Sequence, residues 1–191
     1  AIARLDRLMR QGVTTVEIKS GYGLDVDIEL KMLRVIQRLG QMHALTVVGT
    51  FLGLHALPPE FASDRPGYLQ FVNDTLLPKV TAEGLARFCD VFVEQTAFTH
   101  DEAMACLTRA KAFGLWPRLH VDQLTANKGA QLAAAIHAVT ADHLEQIDYD
   151  GIAALKQAGT IAVLAPISTL FARCRPFAPG RALRDAGVPV A

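Results

Sequence analysis

The chain has 191 residues, of which 51% are hydrophobic and 20% are charged, a balance typical of a globular protein with a sizeable core. Lysine plus arginine and aspartate plus glutamate number 19 each, so the formal net charge is zero. A protein without a basic field attracts a phosphate backbone weakly, which argues against a nucleic-acid partner.

The cysteines Cys89, Cys106 and Cys174 are widely spaced and form no CxxC pair, so neither a disulfide framework nor a thiolate zinc site is indicated. Scattered thiols are typical of a reducing compartment, and we expect a cytoplasmic protein. The opening AIARLDRLMRQG has the charge pattern of an amphipathic helix and not that of a secretory signal. No run of about 18 apolar residues predicts a membrane span.

Short β-branched runs alternate with helical patterns along the chain. The predicted strands are 14–19, 45–53, 91–95, 118–121, 139–143, 160–165 and 188–191. The predicted helices that follow the opening helix are 28–39, 67–80, 100–113, 128–136, 148–157 and 180–185, in which apolar residues recur every three or four positions. Strands that are apolar almost throughout, such as 45–48, are expected to be buried on both faces. This repetition predicts an α/β protein with a parallel sheet covered by helices.

Polar side chains stand at the carboxyl end of one predicted strand after another. They are Lys19, Tyr22, His55, Glu94, His120, Gln123 and His143. In a (β/α)8 barrel all these strand ends converge on one mouth, whereas an open doubly wound sheet gathers its site near a single switch point. The pattern therefore favours a barrel.

A whole barrel needs about 250 residues, and the predicted strands account for six or seven of its eight. The chain also begins without methionine and ends on the apolar stretch VPVA. We expect residues 1–191 to form a single, incomplete barrel domain that is cut at both ends and lacks the first and last barrel segments. The unpaired sheet edges of such a domain favour aggregation.

Two histidines follow neighbouring predicted strands. His120 lies in RLHVDQL and His143 in VTADHLE, so both imidazoles are expected at one end of the sheet. A single histidine there is more often structural, but two within reach of one ligand indicate metal binding or catalysis. Asp142 is expected to point to the opposite face and to anchor the strand.

Two further residues lie in turns after strands. His55 ends TFLGLH before two prolines, and Tyr22 stands between glycines in KSGYGL, a turn that can bring a phenol into a pocket. Asp25, Asp27 and Glu29 open a predicted helix, where acidic residues complement the helix dipole. We therefore do not assign them to a metal site.

Four strings in order, VEIKSGYGL, TFLGLHALP, LHVDQL and ADHLE, resemble the imidazolonepropionase family of metal-dependent amidohydrolases. The resemblance extends to AGTIAVLAP and AGVPVA and so covers essentially the whole chain. It implies a barrel of the metal-dependent hydrolase type. It also implies an enzyme of L-histidine degradation that hydrolyses 4-imidazolone-5-propanoate to N-formimidoyl-L-glutamate with metal-activated water.

The resemblance also implies roles for individual residues. His120 matches a metal-ligand histidine, and the metal is one zinc or iron ion. Tyr22 and His55 match residues that contact the substrate. Gln123 matches a substrate-facing position of the catalytic site, and His143 matches a catalytic histidine that handles the attacking water or the ring carbonyl. Lys19 and Glu94 are given only a supporting role.

The chain departs from the family pattern in its metal ligands. It contains neither the HxH pair of the first barrel strand nor the ATD segment that follows its last strand, and an upstream arginine for the propionate is also absent. The 191 residues alone are therefore expected to be inactive. Position 123 is Gln where some members have Glu, so His143 must take more of the proton transfer.

Two alternatives remain at this level. One is another amidohydrolase, such as a cytosine or guanine deaminase, although Tyr22 and His55 suit an imidazolone acid better. The other is a non-catalytic α/β domain with structural histidines. The expected partner is a small-molecule substrate, and neither a nucleic acid nor a membrane is expected as a partner. A homodimer is one possible assembly of the full-length enzyme.

Overall fold

The computed structural model describes residues 1–173 and 175–191, so the predicted free thiol of Cys174 lies outside the described residues. Six strands form one sheet: β1 (Thr15–Lys19), β2 (Thr46–Leu54), β3 (Phe88–Phe92), β4 (Trp116–Val121), β5 (Thr140–His143) and β6 (Ile161–Val163). Every neighbouring pair is parallel, and the strand order equals the order in the sequence. The sheet is therefore an arc of six barrel strands with β1 and β6 at its edges, in agreement with the predicted incomplete barrel.

Helices connect the strands and cover the outer face of the sheet. They are α1 (Ile2–Arg10), α2 (Val26–Met42), α3 (Arg65–Phe71), α4 (Leu77–Ala82), α5 (His100–Ala112), α6 (Gly129–Ala135), α7 (Tyr149–Ala158), α8 (Pro166–Phe171) and α9 (Gly180–Ala186). A 3-10 turn at Pro59–Phe61 precedes α3. In the described part of the chain, no helix has the length and apolar character needed to cross a membrane.

The predicted helix at 67–80 is interrupted. A π-helical turn, Val72–Leu76, separates α3 from α4, and Pro78 occupies the first turn of α4. Proline has no N–H to donate and crowds the preceding turn, so a regular helix cannot pass through it unchanged.

Two predicted strands differ from the structure. The strand predicted at 91–95 is β3, Phe88–Phe92, because its register with β4 begins at Phe88 opposite Trp116. The strand predicted at 188–191 is reduced to a single parallel bridge between Val190 and Ala162. Helix α8 was not predicted at all.

The apolar core lies between the sheet and its helices. Outward-facing strand residues such as Cys89, Val91, Leu119 and Val121 are buried there against α5 and α6. Since side chains alternate along a strand, their neighbours in sequence face the interior of the arc. That inner face is largely polar, and it leads to the carboxyl ends of the strands.

Candidate active site

The residues predicted for the site converge on one pocket of about 260 Å³ at the carboxyl ends of the strands. Its lining consists of Lys19, Tyr22, Leu52, His55, Phe92, His120, Gln123, His143 and Ser168. All five residues assigned to the site from the sequence are in this set. The structure thus places in one mouth residues that are up to 121 positions apart, from Tyr22 to His143.

Tyr22 and His55 form one wall of this pocket. Their rings meet edge to face with centroids 5.0 Å apart. The His55 Nδ1 lies 2.8 Å from the carbonyl oxygen of Gly21, to which an Nδ1–H would donate. The loop that carries Tyr22 therefore also sets the orientation of His55.

Glu29 holds the loop that carries Tyr22. Its carboxylate is fully buried and accepts hydrogen bonds from the backbone N–H groups of Gly21, Gly23 and Leu24 at 2.8–3.1 Å. The prediction that Glu29 merely complements the helix dipole was therefore incomplete. A carboxylate reaching back from the first turn of α2 satisfies the amides of the loop before it.

Asp90 orients His120, and it was missed in the sequence. The two side chains face the interior of the arc from β3 and β4, and His120 Nδ1 lies 3.0 Å from Asp90 Oδ1. Burial alone would raise the pKa of Asp90, but its contacts with His120 and Lys19 outweigh burial and hold this pKa below its usual range. In CDVF, the polar Asp90 stands between the outward-facing Cys89 and Val91, and this alternation indicates that Asp90 faces inward. The predicted strand begins three residues after Phe88 and so excludes Asp90.

Asp142 lies on the same inner face as His120 because the register of β4 and β5 sets the two residues opposite each other. The prediction that Asp142 points the other way was wrong. The neighbouring residue His143 departs from the regular strand, because its φ is +84°. This turn brings the His143 ring to the mouth, so that His143 and His120 both line the pocket. Alternation along a regular strand could not show this turn.

A network of charges fills the inner face below the pocket. Lys19 Nζ lies 2.7 Å from Asp90, 2.9 Å from Glu17 and 3.4 Å from Asp142. Arg118 lies 3.2 Å from Glu17 and 3.5 Å from Asp142. Burial lowers the pKa of Lys19, but the surrounding carboxylates outweigh it and the pKa is raised.

The same residues test whether a metal fits. Ligand atoms of Asp90, His120 and Asp142 lie within 4.8 Å of one another. However, the Lys19 ammonium already pairs with both carboxylates and Arg118 pairs with Asp142, so these charges are compensated without a metal. His120 does fit, because Asp90 engages Nδ1 and leaves Nε2 as the ring nitrogen available to a metal.

Glu94 holds the loop that carries Gln123. From the end of β3 its buried carboxylate accepts hydrogen bonds from the backbone N–H groups of Gln123, Leu124 and Thr125 at 2.7–3.3 Å. It also accepts a hydrogen bond from the Thr125 hydroxyl. The supporting role predicted for Glu94 is consistent with these contacts.

His143 lies beside His120, with ring centroids 5.3 Å apart. Its side chain is 11% exposed. Together the two imidazoles, Gln123 and the Tyr22 and His55 wall provide donors and acceptors around one small polar space. Such a pocket can orient a compact heterocycle and exchange a proton with it.

No family model matches the chain. Among curated proteins, it is 54% identical over all 191 residues to the imidazolonepropionase of Myxococcus xanthus, 50% identical over 188 residues to that of Shouchella clausii, and 44% identical over 191 residues to that of Caldanaerobacter subterraneus. It spans 42–46% of the length of these relatives.

Solved structures show the same fold at low identity. The chain matches an adenine deaminase of Arthrobacter aurescens with a TM-score of 0.74 and 15% identity, over 99% of this chain and 59% of that one. It matches a guanine deaminase of C. acetobutylicum with a TM-score of 0.72 and 12% identity, over 99% and 48% respectively. The fold is therefore a partial (β/α)8 barrel. The chain is homologous along its whole length to just under half of an imidazolonepropionase.

Proposed function

We propose that this chain contributes the substrate pocket of an enzyme that hydrolyses 4-imidazolone-5-propanoate to N-formimidoyl-L-glutamate in L-histidine degradation. Residues 1–191 are then one incomplete catalytic barrel domain. The observation that carries the proposal is that Tyr22, His55, His120, Gln123 and His143 line a single 260 Å³ pocket. The identity of 44–54% to imidazolonepropionases supports this substrate over that of a deaminase, since the deaminases share only the fold.

In this proposal His120 contributes one ligand of a metal ion through Nε2, and the other ligands come from outside the 191 residues. An ion held there would supply Lewis acidity, which lowers the pKa of bound water towards about 7. Asp90 fixes the ring of His120 for this purpose. Lys19 compensates the negative charge of the buried Asp90 carboxylate and so keeps Asp90 ionised.

The remaining side chains bind the substrate and move protons. Tyr22, His55 and Gln123 orient the imidazolone ring and its acidic tail. Gln123 cannot serve as a base because a carboxamide does not accept a proton at neutral pH. His143 is then the group that takes a proton from the attacking water or donates a hydrogen bond to the ring oxygen as negative charge develops there.

The proposal also includes the identity of the metal, the cellular location and the oligomeric state of the complete protein. We propose zinc or iron as a single ion, to be determined by elemental analysis of the purified complete gene product. A cytoplasmic location is supported by the free, buried thiols of Cys89 and Cys106. A homodimer of the complete protein is to be tested by sedimentation.

The function is tested by following the ultraviolet absorbance of 4-imidazolone-5-propanoate with the complete gene product and two matched variants. His143→Asn removes the imidazole, while asparagine tolerates the positive φ of this position. We expect kcat to fall about 10²–10⁴-fold. His137→Asn is the control, because His137 also has a positive φ but is exposed and distant from the pocket lining.

An active protein that loses activity in His143→Asn and keeps it in His137→Asn would support the substrate and the role of His143. A folded, metal-loaded protein that leaves the imidazolone unchanged would refute the proposed function. The 191-residue chain alone is expected to show no turnover, since His120 is the one family metal ligand identified in it.

A further inference from the structure

A second buried carboxylate, Glu145, lies behind His143 and has no role in the function described so far. Its Oε1 is 3.7 Å from His143 Nδ1, and its side chain is only 1% exposed. Within the described residues, His143 Nδ1 and Glu145 Oε2 are both buried without a hydrogen-bond partner. The unpaired ring nitrogen of His143 thus lies less than 4 Å from a carboxylate that has one oxygen without a partner.

Leaving buried polar atoms unpaired is costly, by about 1–3 kcal/mol for each group. A hydrogen bond between this ring and this carboxylate needs only a shortening of 3.7 Å to about 3 Å. Hydrogen bonds of catalytic groups are often long without substrate and shorten when it binds. The pair is therefore arranged for a hydrogen bond from Nδ1–H to the carboxylate.

The backbone around the pair supports the same conclusion. His143 and Leu144 have φ values of +84° and +67°, which are unfavourable for side chains with a Cβ. Such conformations persist where surrounding contacts maintain them. Here the Leu144 N–H donates to Val121 O at 3.2 Å, and the Thr169 hydroxyl donates to Glu145 Oε1 at 2.5 Å.

We propose that Glu145 is the positioning residue of His143, accepting a hydrogen bond from Nδ1–H and thereby keeping the neutral ring protonated at Nδ1 and unprotonated at Nε2. Burial alone would raise the pKa of Glu145, but the contacts with His143 and Thr169 outweigh it, so the carboxylate stays ionised. Nε2 then lies on the pocket side of the ring with a free lone pair. The further step, transfer of a proton from the attacking water to Nε2, rests on the proposed function.

The inference is tested first on the unmodified protein. The complete gene product, loaded with zinc and labelled with ¹⁵N in its histidine rings, is studied by NMR at alkaline pH, where imidazoles are neutral. The His143 signals are identified by their loss in His143→Asn. We expect the proton on Nδ1. A ring protonated mainly on Nε2, as free histidine prefers, would overturn the inference without any Glu145 variant having to fold.

Variants then test Glu145 itself. Glu145→Leu keeps the volume but removes the acceptor, and we expect it to shift the His143 proton to Nε2. Glu145→Gln keeps an oxygen acceptor and should restore the Nδ1–H form in most molecules. Glu94→Gln is the matched control, because Glu94 is also a buried carboxylate at the mouth but binds backbone amides. An equal change in Glu94→Gln, or no change in Glu145→Leu, would refute the positioning role.

Kinetics separate this inference from the proposed function. Glu145→Leu should lower kcat with 4-imidazolone-5-propanoate at least about 10-fold and change KM much less, because the substrate contacts of Tyr22, His55 and Gln123 remain. A protein that leaves this substrate unchanged would refute the proposed function, while the NMR result would still decide the role of Glu145.

Discussion

At the scale of single residues, the inner face of the sheet depends on Lys19. Its ammonium lies within 3.4 Å of three carboxylates, two of which belong to the buried Asp90 and Asp142. Removing one partner of a buried ion pair leaves the other charge uncompensated. The position therefore matters to stability independently of its place in the pocket.

Lys19→Met keeps most of the side-chain volume and removes the charge. We expect a loss of about 3–5 kcal/mol in the free energy of unfolding at pH 7, measured with urea. The folded-state pKa of Lys19 is raised, so its contribution is fully present below the unfolded pKa of about 10.4 and is lost as pH rises through the folded value. The variant should lack this alkaline loss. If the stability of the unmodified protein and that of Lys19→Met depended equally on pH, the proposed stabilisation by the Lys19 ion pairs would be contradicted.

Glu94 is the residue on which the position of Gln123 depends. Glu94→Ala removes three hydrogen bonds to loop amides, and we expect kcat/KM to fall at least about 10-fold, with a loss of about 2 kcal/mol in stability. Glu94→Gln, which keeps an acceptor oxygen, should retain most of the activity. Steady-state kinetics of the complete gene product check this, and equal activities in both variants would exclude a positioning role.

At the scale of elements, the loop between β1 and α2 is built around Gly21. Its φ is +99°, and a Cβ there would lie 2.4 Å from the carbonyl oxygen of Leu52. The positive φ and the close approach to β2 both require glycine. The loop therefore fixes Tyr22 against a neighbouring strand.

Gly21→Ala should lower the free energy of unfolding by about 2–5 kcal/mol, the sum of backbone strain and the clash with β2. Gly12→Ala is the matched control, since Gly12 has a φ of +89° but no atom within 4 Å of an added Cβ. It should lose about 1–2 kcal/mol. Chemical denaturation of both variants measures the difference, and equal losses would show that the contact with Leu52 is unimportant.

At the scale of the whole molecule, the six strands leave an open edge at β1. Thr14 O accepts from Thr46 N and Ser20 N donates to Thr50 O, so even-numbered residues bond to β2 and the N–H of Thr15 faces the free edge. Exposed edges of this kind pair readily with other strands. We expect the 191-residue chain to self-associate through β1.

Thr15→Pro should reduce this association because proline removes an N–H from the free edge and is tolerated there. Val16→Pro is the control, since Val16 faces β2 and proline should weaken the sheet itself by at least about 1 kcal/mol. Sedimentation velocity over a range of concentrations measures association. Unchanged association of a folded Thr15→Pro chain would exclude the β1 edge as the contact.

The sequence by itself determined the α/β class, the partial barrel and six of the nine pocket residues, but not Leu52, Phe92 or Ser168. Buried parallel strands are apolar and β-branched, and the polar residues that end them stand out against that background. His55, His120 and His143 could therefore be assigned from their places in the chain. The family was indicated separately, by the resemblance of four sequence strings, and the similarity to imidazolonepropionases supports it.

Only the tertiary structure decided which charges meet. Asp90 was missed because β3 begins at Phe88, before the predicted strand. Asp142 was placed on the wrong face because the positive φ of His143 interrupts the alternation of side chains. The partners of Glu29 and Glu94 were likewise undetermined, since each carboxylate accepts hydrogen bonds from the backbone of a loop outside its own element. Local patterns report burial and periodicity, whereas the partner of a buried charge is set by packing between elements that are distant in the sequence.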